Sequence, residues 1–167
     1  MRKLLLGCAA LALAGLGCKS GSANAADYNN RIVDQQARIM SAISALVAGC
    51  EDAASPGCEA KYAEAVATAE DVLKQVGAME PFDGSTTQRD AAVKQFTFYN
   101  DVIKVSYREL LDIQKLAEPT PEHLQRVVAI QTEVQQREAG MDAELDAAQK
   151  AFAAKYNVIL PPNTAQP

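Results

Sequence analysis

The sequence predicts an all-α protein, and two observations carry this prediction. Apolar residues recur at intervals of three and four through residues 26–160, which is the spacing of amphipathic helices. No window alternates apolar and polar residues as a half-buried strand does, and no Asn-Gly hairpin signal occurs. Four helical segments with short connections predict an up-down-up-down four-helix bundle.

The first two predicted helices each end at a glycine, a residue that favours helix C-termini. The first runs from Tyr28 to Gly49, and the second follows a turn and ends at Gly77. Their predicted buried stripes are Ile32, Ile39, Ile43 and Leu46 in the first helix, and Tyr62, Val66, Ala69, Leu73 and Val76 in the second.

Capping signals mark the starts of the third and fourth helices. Ser85 with Gln88 three residues later fits a capping box for the third helix. Thr120 as N-cap, followed by Pro121, predicts the start of the fourth, which runs almost to Asn157. The predicted stripes are Ala92, Phe96, Tyr99, Ile103, Leu110 and Ile113 in the third helix, and Leu124, Val127, Val134, Met141, Leu145, Ala148, Phe152 and Tyr156 in the fourth.

The N-terminus carries an export signal. Arg2 and Lys3 precede the apolar run of residues 4–17, which is too short for a permanent membrane span. One interpretation ends the signal at Cys18, whose thiol then receives a diacylglycerol. The alternative is cleavage after the small-x-small motif of residues 23–25, which releases an unlipidated chain. We favour Cys18, because it directly follows the apolar run.

This interpretation divides the chain into four parts. Residues 1–17 are a signal peptide, and residues 18–25 comprise the lipidated cysteine and a flexible tether of small and polar residues. Residues 26–160 form one bundle domain, a length that can bury a sizeable core. Within it, Val158–Leu160 are expected to pack across the bundle end, whereas residues 161–167 are expected to be disordered.

Two cysteines flank the turn between the first two helices. Cys50 and Cys58 lie in GCEDAASPGC, where glycine, serine and proline indicate a tight turn. In an exported protein such a pair predicts a disulfide. A redox-active pair is usually closer, as in C-x-x-C, and a zinc site needs more ligands than a chain with a single histidine offers.

The sequence offers no pattern typical of a cofactor site or of catalysis. His123, the single histidine, lacks the Glu-x-x-His partner of a di-iron site, and no C-x-x-C-H haem motif occurs. We therefore expect no metal, no cofactor and no catalytic residue. The full chain has 16 Lys and Arg residues against 21 Asp and Glu residues, and loss of Arg2 and Lys3 with the signal gives a net charge of −7. This charge argues against a nucleic-acid partner.

Three segments that follow the lipoprotein-like signal carry a family resemblance. YNNRIVDQQARI, RDAAVKQFTFYNDVIKVSYREL and DAAQKAFAAKYNV resemble uncharacterised bacterial surface lipoproteins of the leptospiral type. The resemblance implies an exported, lipid-anchored helical domain with no assigned activity, and it supplies no catalytic residues.

Two functions from different classes remain open. The first is a non-enzymatic lipoprotein of the outer membrane or cell surface, whose bundle binds another envelope or extracellular protein. The alternative is a soluble periplasmic carrier that holds a small ligand or haem inside the bundle. Its expected site lies near Tyr99, Asn100 and Tyr107, where aromatic and polar side chains share one helix.

Overall fold

The computed structural model describes the backbone of residues 18–160 and the side chains of residues 21–160. The helices are α1 (Cys18–Gly49), α2 (Pro56–Gly77), α3 (Thr87–Asp101), α4 (Arg108–Gln114) and α5 (Pro121–Tyr156), with a π-helical segment, Val102–Tyr107, between α3 and α4. Because α3, the π-helical segment and α4 follow one another without a break, this part of the chain contains four continuous helices.

The predicted all-α class is confirmed. Residues 18–160 contain no β-strand, and the extended pairing described there is an isolated bridge between Phe82 and Ser85. The up-down-up-down order of the helices stays a prediction. The predicted signal peptide, residues 1–17, and the predicted disordered tail, residues 161–167, lie outside the described residues.

Helix α1 starts earlier than the sequence predicts. Instead of a flexible segment over residues 18–25, the structure has helix from Cys18 onward, and Ala25 is completely buried in the core. The segment contains alanines, which favour helix, and no proline. Burial of Ala25 adds packing that stabilises the helix but is not visible in the segment by itself. The structure thus joins Cys18 to the core without a flexible linker.

Side-chain caps fix the starts of α2 and α5. Ser55 precedes α2, and its Oγ accepts a hydrogen bond from the backbone N–H of Cys58 at 3.2 Å. Thr120 is the N-cap of α5, as predicted, and its backbone N–H donates to Nδ1 of His123 at 3.1 Å. Helix α5 ends at Tyr156, and its C-cap Asn157 has a left-handed φ of 54°, a conformation that asparagine tolerates.

The capping box predicted for the third helix is wrong. Ser85 pairs instead with Phe82 through two backbone hydrogen bonds of 2.9 and 3.0 Å, and α3 begins at Thr87. The Gln88 side chain is buried, and its Nε2 donates to Oδ1 of Asn29 at 2.7 Å. Contacts within the loop and across the bundle therefore occupy both residues of the predicted local pair.

The core lies between the predicted apolar faces of the helices. Helix α1 packs against α2, α2 against α3, and α5 against both α3 and α1. Ile32 and Ile39 of α1, Val72 of α2 and Phe96 of α3 are fully buried at the centre of these contacts. The heptad-like apolar spacing of the sequence therefore corresponds to the buried face over most of the chain.

Two apolar side chains predicted to be buried are exposed. Leu124 of α5 is 57% exposed, and Ile130 is buried instead. Arg126 of the same region donates to Glu109 at 2.7 Å, so the start of α5 lies beside the short helix α4. Ile159, predicted to pack across the bundle end, is 94% exposed, while the neighbouring Val158 packs against the core.

The two ends of the bundle are different. At one end the start of α1 meets the α2–α3 loop and the end of α5, and the Tyr28 ring lies 5.2 Å from that of Phe82 and 5.6 Å from that of Phe152. At the other end Nε2 of Gln114 donates to the carbonyl of Cys50 at 3.4 Å, which brings the ends of α4 and α1 together. We call these the Tyr28 end and the disulfide end.

Candidate functional site

The predicted lipid-attachment residue, Cys18, is the first residue of α1. Its side chain lies outside the described part of the structure. Along a helix, Cys18 is about 10 Å from Ala25, the first fully buried residue among the described side chains. The predicted lipid on Cys18 would therefore lie close to the Tyr28 end, joined to it by continuous helix.

The predicted disulfide is confirmed between α1 and α2. Cys50 and Cys58 are joined by an S–S bond of 2.04 Å, with their Cα atoms 4.6 Å apart. Both residues are buried, as is Ala53 inside the loop. The last residue of α4 also contacts this loop, because Nε2 of Gln114 donates to the carbonyl of Glu51 at 3.2 Å. The disulfide thus fixes the turn against the end of α4.

The structure brings two of the three predicted ligand-binding residues to one carboxylate. The hydroxyl of Tyr99 donates to Oε1 of Glu138 at 3.1 Å. Tyr107 is half-buried, and the charge of the same carboxylate contributes to raising its pKa. Asn100 follows Tyr99 directly, so its side chain projects about 100° further around the helix. Its Oδ1 is buried and accepts no hydrogen bond from the described residues.

A second, partly buried contact continues this arrangement one turn earlier in α3. Nε2 of Gln95 donates to Oδ1 of Asp142 at 2.6 Å, and Oε1 of Gln95 is buried without a partner among the described residues. We call Gln95, Tyr99, Glu138 and Asp142 the α3–α5 polar seam. Sequence analysis missed Gln95, although its position between Ala92 and Tyr99 on the buried stripe is a signal that could have identified it.

Burial holds the two tyrosines in their protonated form. Desolvation raises the pKa of Tyr99 above its ordinary value of 10.0, and the nearby charges of Asp142 and Glu138 raise it further. Burial, followed by the charge of Glu138, also raises the pKa of Tyr107. A phenol with a raised pKa donates hydrogen bonds but is a poor base or nucleophile near neutral pH. The seam is therefore suited to holding a polar group rather than activating one.

The π-helical segment Val102–Tyr107 directly follows this seam. Such segments add a residue to one turn, release a backbone carbonyl from its usual partner and often occur near functional sites. Here the hydroxyl of Tyr62 donates to the backbone carbonyl of Lys104 at 3.3 Å. In the same segment Ile103 stays buried while Val105 is 65% exposed. The sequence carries no signal for this π-helical segment.

Two surface clefts lie away from the predicted ligand site. The first, of about 500 Å³, lies towards the disulfide end, and it is lined by Lys104, Val105, Arg108, Glu109, Asp112, Ile113, Leu116 and His123. The second, of about 520 Å³, lies at the Tyr28 end, and it is lined by Lys150, Ala153, Ala154, Asn157, Val158, Ile159 and Leu160. Tyr99, Asn100 and Tyr107 line neither cleft.

Two further findings concern membranes and metals. Within residues 18–160, no helix combines the length and the apolar character needed to cross a membrane. In the same part of the chain, no three or more His, Cys, Asp or Glu side chains are grouped so that they could hold a metal ion.

Over residues 18–160, the fold and these contacts define a disulfide-bonded bundle of four helices with partly buried polar contacts between α3 and α5. Comparison with known proteins finds no matching family model, no matching curated protein and no matching solved structure. The resemblance to surface lipoproteins of the leptospiral type therefore stays a prediction.

Proposed function

We propose that this protein is an exported lipoprotein of the cell envelope, attached to a membrane through a diacylglycerol on Cys18. Its helical bundle acts as a non-enzymatic module that binds another envelope or extracellular protein. The outer membrane or the cell surface is the proposed location.

The Cys50–Cys58 disulfide is the observation that carries the proposal of export. Disulfides persist in oxidising compartments such as the periplasm and the cell surface and are rare in the cytosol. The basic and apolar residues 2–17 supply the matching export signal. Cys18 directly follows that signal and also starts α1, which supports attachment of the lipid at the beginning of the folded domain.

The binding role is supported by the exposed apolar side chains around the first cleft. Val105 of the π-helical segment and Leu116, just after α4, line this cleft and are each more than 40% exposed. Leu124 and Val128 are also exposed on the first turns of α5, which begins next to His123 of the cleft lining. Exposed apolar groups rimmed by polar residues are typical of protein-binding surfaces.

The decisive experiment is the intact mass of the mature protein extracted from its native envelope, measured with and without reductant. We expect a chain that starts at Cys18 and carries acyl mass, and a gain of two hydrogen atoms after reduction. Cys18→Ser should abolish the acyl mass, whereas Cys8→Ser, a matched change inside the signal, should leave it unchanged. A mature chain that starts at Ala26 without lipid contradicts the proposal.

A second candidate function is the soluble carrier, and one observation favours it. The amide oxygens of Asn100 and Gln95 are buried without partners among the described residues, which is uncommon for buried polar atoms. Native mass spectrometry and an absorption spectrum of the protein purified from its host would detect a bound small molecule or haem. We expect a retained ligand to be lost in Asn100→Leu, while a ligand kept by this variant contradicts the site.

A further inference from the structure

The Tyr28 end carries the most exposed large apolar side chain identified in the described chain. Ile159 is 94% exposed and lies three residues after the end of α5. The residue before it is held by the end of α5, since the backbone N–H of Val158 donates to the carbonyl of Ala153 at 3.0 Å and Val158 packs against the core. Ile159 therefore follows a residue that is attached to this end of the bundle.

The same end also contains the start of α1. The Tyr28 ring packs on Phe152 of α5, so the two helices approach each other where α1 begins and α5 ends. Helix continues from Tyr28 back to Cys18. A diacylglycerol on Cys18 would bring the bilayer surface to within about 10 Å of Ala25, on the side of the bundle where Ile159 is exposed.

We propose that Ile159, with Val158 and Leu160 beside it, is a second membrane contact that seats the Tyr28 end on the lipid bilayer. The bundle then stands end-on, and the disulfide end points away from the membrane. This inference rests on the proposed lipid at Cys18. Two acyl chains are sufficient for stable attachment, so the contribution of Ile159 is to orientation rather than to binding itself.

The charges at this end indicate which lipids the contact requires. Lys150 pairs with Asp146 at 2.7 Å, and Lys155 lies 3.8 Å from Asp83. Both cations face carboxylates of the protein, so they offer little attraction for anionic headgroups. The contact is therefore apolar and should form equally on zwitterionic and anionic bilayers.

The chain contains no tryptophan, which permits a direct test with a single tryptophan probe. Ile159→Trp places the probe at the proposed contact. Leu124→Trp is the matched control, since Leu124 is also exposed and lies about 50 Å from the end of α5 along the same helix. Each full-length variant is purified from membranes, its lipid on Cys18 is verified by mass, and its thermal unfolding is compared with that of the wild type.

The lipidated variants are reconstituted into phosphatidylcholine vesicles with ordinary or brominated acyl chains, and tryptophan emission is recorded. We expect a blue shift and loss of emission in brominated vesicles for Ile159→Trp, and unchanged emission for Leu124→Trp. The same result is expected when anionic phosphatidylglycerol is added to the vesicles.

Three results would overturn the inference while leaving the lipoprotein proposal intact. These are unchanged emission of Ile159→Trp in a chain with verified lipid, equal quenching at both positions, and quenching at position 159 that requires anionic lipid. Absence of lipid on Cys18 in the mass spectrum is a separate outcome, which overturns the proposed function and this inference together.

Discussion

Removal of the Cys50–Cys58 disulfide should destabilise the bundle by a predictable amount. The bond closes a short loop, with a sequence separation of 8 residues between the two cysteines. In the chain-entropy account, breaking it returns conformational freedom to the unfolded chain and so lowers the free energy of unfolding. For a loop of this size the loss is about 2.5 kcal/mol at 25 °C.

Two forms of the protein distinguish the effect of the crosslink on stability from the effect of the buried cysteine side chains. Reduction of the wild type breaks the bond but keeps both side chains, whereas Cys50→Ala with Cys58→Ala also removes buried volume. Because Cys58 is fully buried, the double variant should lose somewhat more stability than the reduced wild type. Both forms should carry Cys18→Ser, so that no third thiol of the mature chain takes part in exchange.

Urea unfolding followed by helical circular dichroism measures the effect. With slopes of about 1–3 kcal/mol per molar urea, a loss of about 2.5 kcal/mol lowers the midpoint by roughly 0.8–2.5 M. Reductant should not change the midpoint of the double alanine variant. This variant is therefore the control for effects of the reductant other than breaking the disulfide. If reduced and oxidised wild type unfold at the same midpoint, the disulfide does not stabilise the fold and the reasoning fails.

Three further predictions use the same unfolding assay. Phe96→Ala removes a fully buried ring and should lower the free energy of unfolding by about 3–5 kcal/mol. Val105→Ala, at an exposed position, should change it by only about 0.5 kcal/mol. Similar losses for the two variants would contradict the assigned core. Tyr99→Phe removes the partly buried hydrogen bond to Glu138 and should cost about 1 kcal/mol, and an unchanged midpoint would disprove that bond. The hydrogen bond from Arg126 lowers the pKa of Glu109 below its ordinary value of 4.5, so the pair's stabilisation is present above that pH and is lost as the pH falls through the folded-state pKa. Glu109→Gln should therefore lose less stability than the wild type on acidification, and identical pH profiles would count against the pair.

The fold class and several helix ends were predictable because local signals decide them. Apolar spacing indicates which faces are buried, and Thr120 with Pro121 satisfies the first backbone groups of α5 wherever the helix packs. The disulfide was predictable from the turn residues between Cys50 and Cys58 together with the export signal at the N-terminus. The apolar spacing and the helix caps depend on no distant part of the chain.

The wrong predictions share a different cause, which is competition from contacts distant in sequence. Gln88 was expected to cap its own helix, but in the folded chain its side chain reaches Asn29 on α1. Leu124 follows the apolar spacing of α5, yet the short helix α4 opposite it leaves the side chain exposed. Residue spacing identifies a face that is able to be buried, and only the neighbouring elements decide whether it is.

The candidate site was only partly accessible to sequence reasoning for the same reason. Tyr99 and Tyr107 were identified as aromatic residues on one helix, but their shared approach to Glu138 depends on how α5 packs beside α3. The π-helical segment that carries Tyr107 has no sequence signature. Its extra residue changes which side chains after Asp101 face inward, so periodicity counted from α3 does not hold through α4.

The helical start at Cys18 changes the meaning of the exposed Ile159. A flexible tether over residues 18–25 would span roughly 15 Å in any direction and let the bundle rotate freely above a membrane. With such a tether, one exposed isoleucine would need no explanation, because single apolar residues are common on protein surfaces. A helix that continues from Cys18 into the core instead keeps one end of the bundle next to the attached lipid. Ile159 is exposed at that same end, so the proposed orientation at the membrane would follow from the helix if Cys18 carries the proposed lipid.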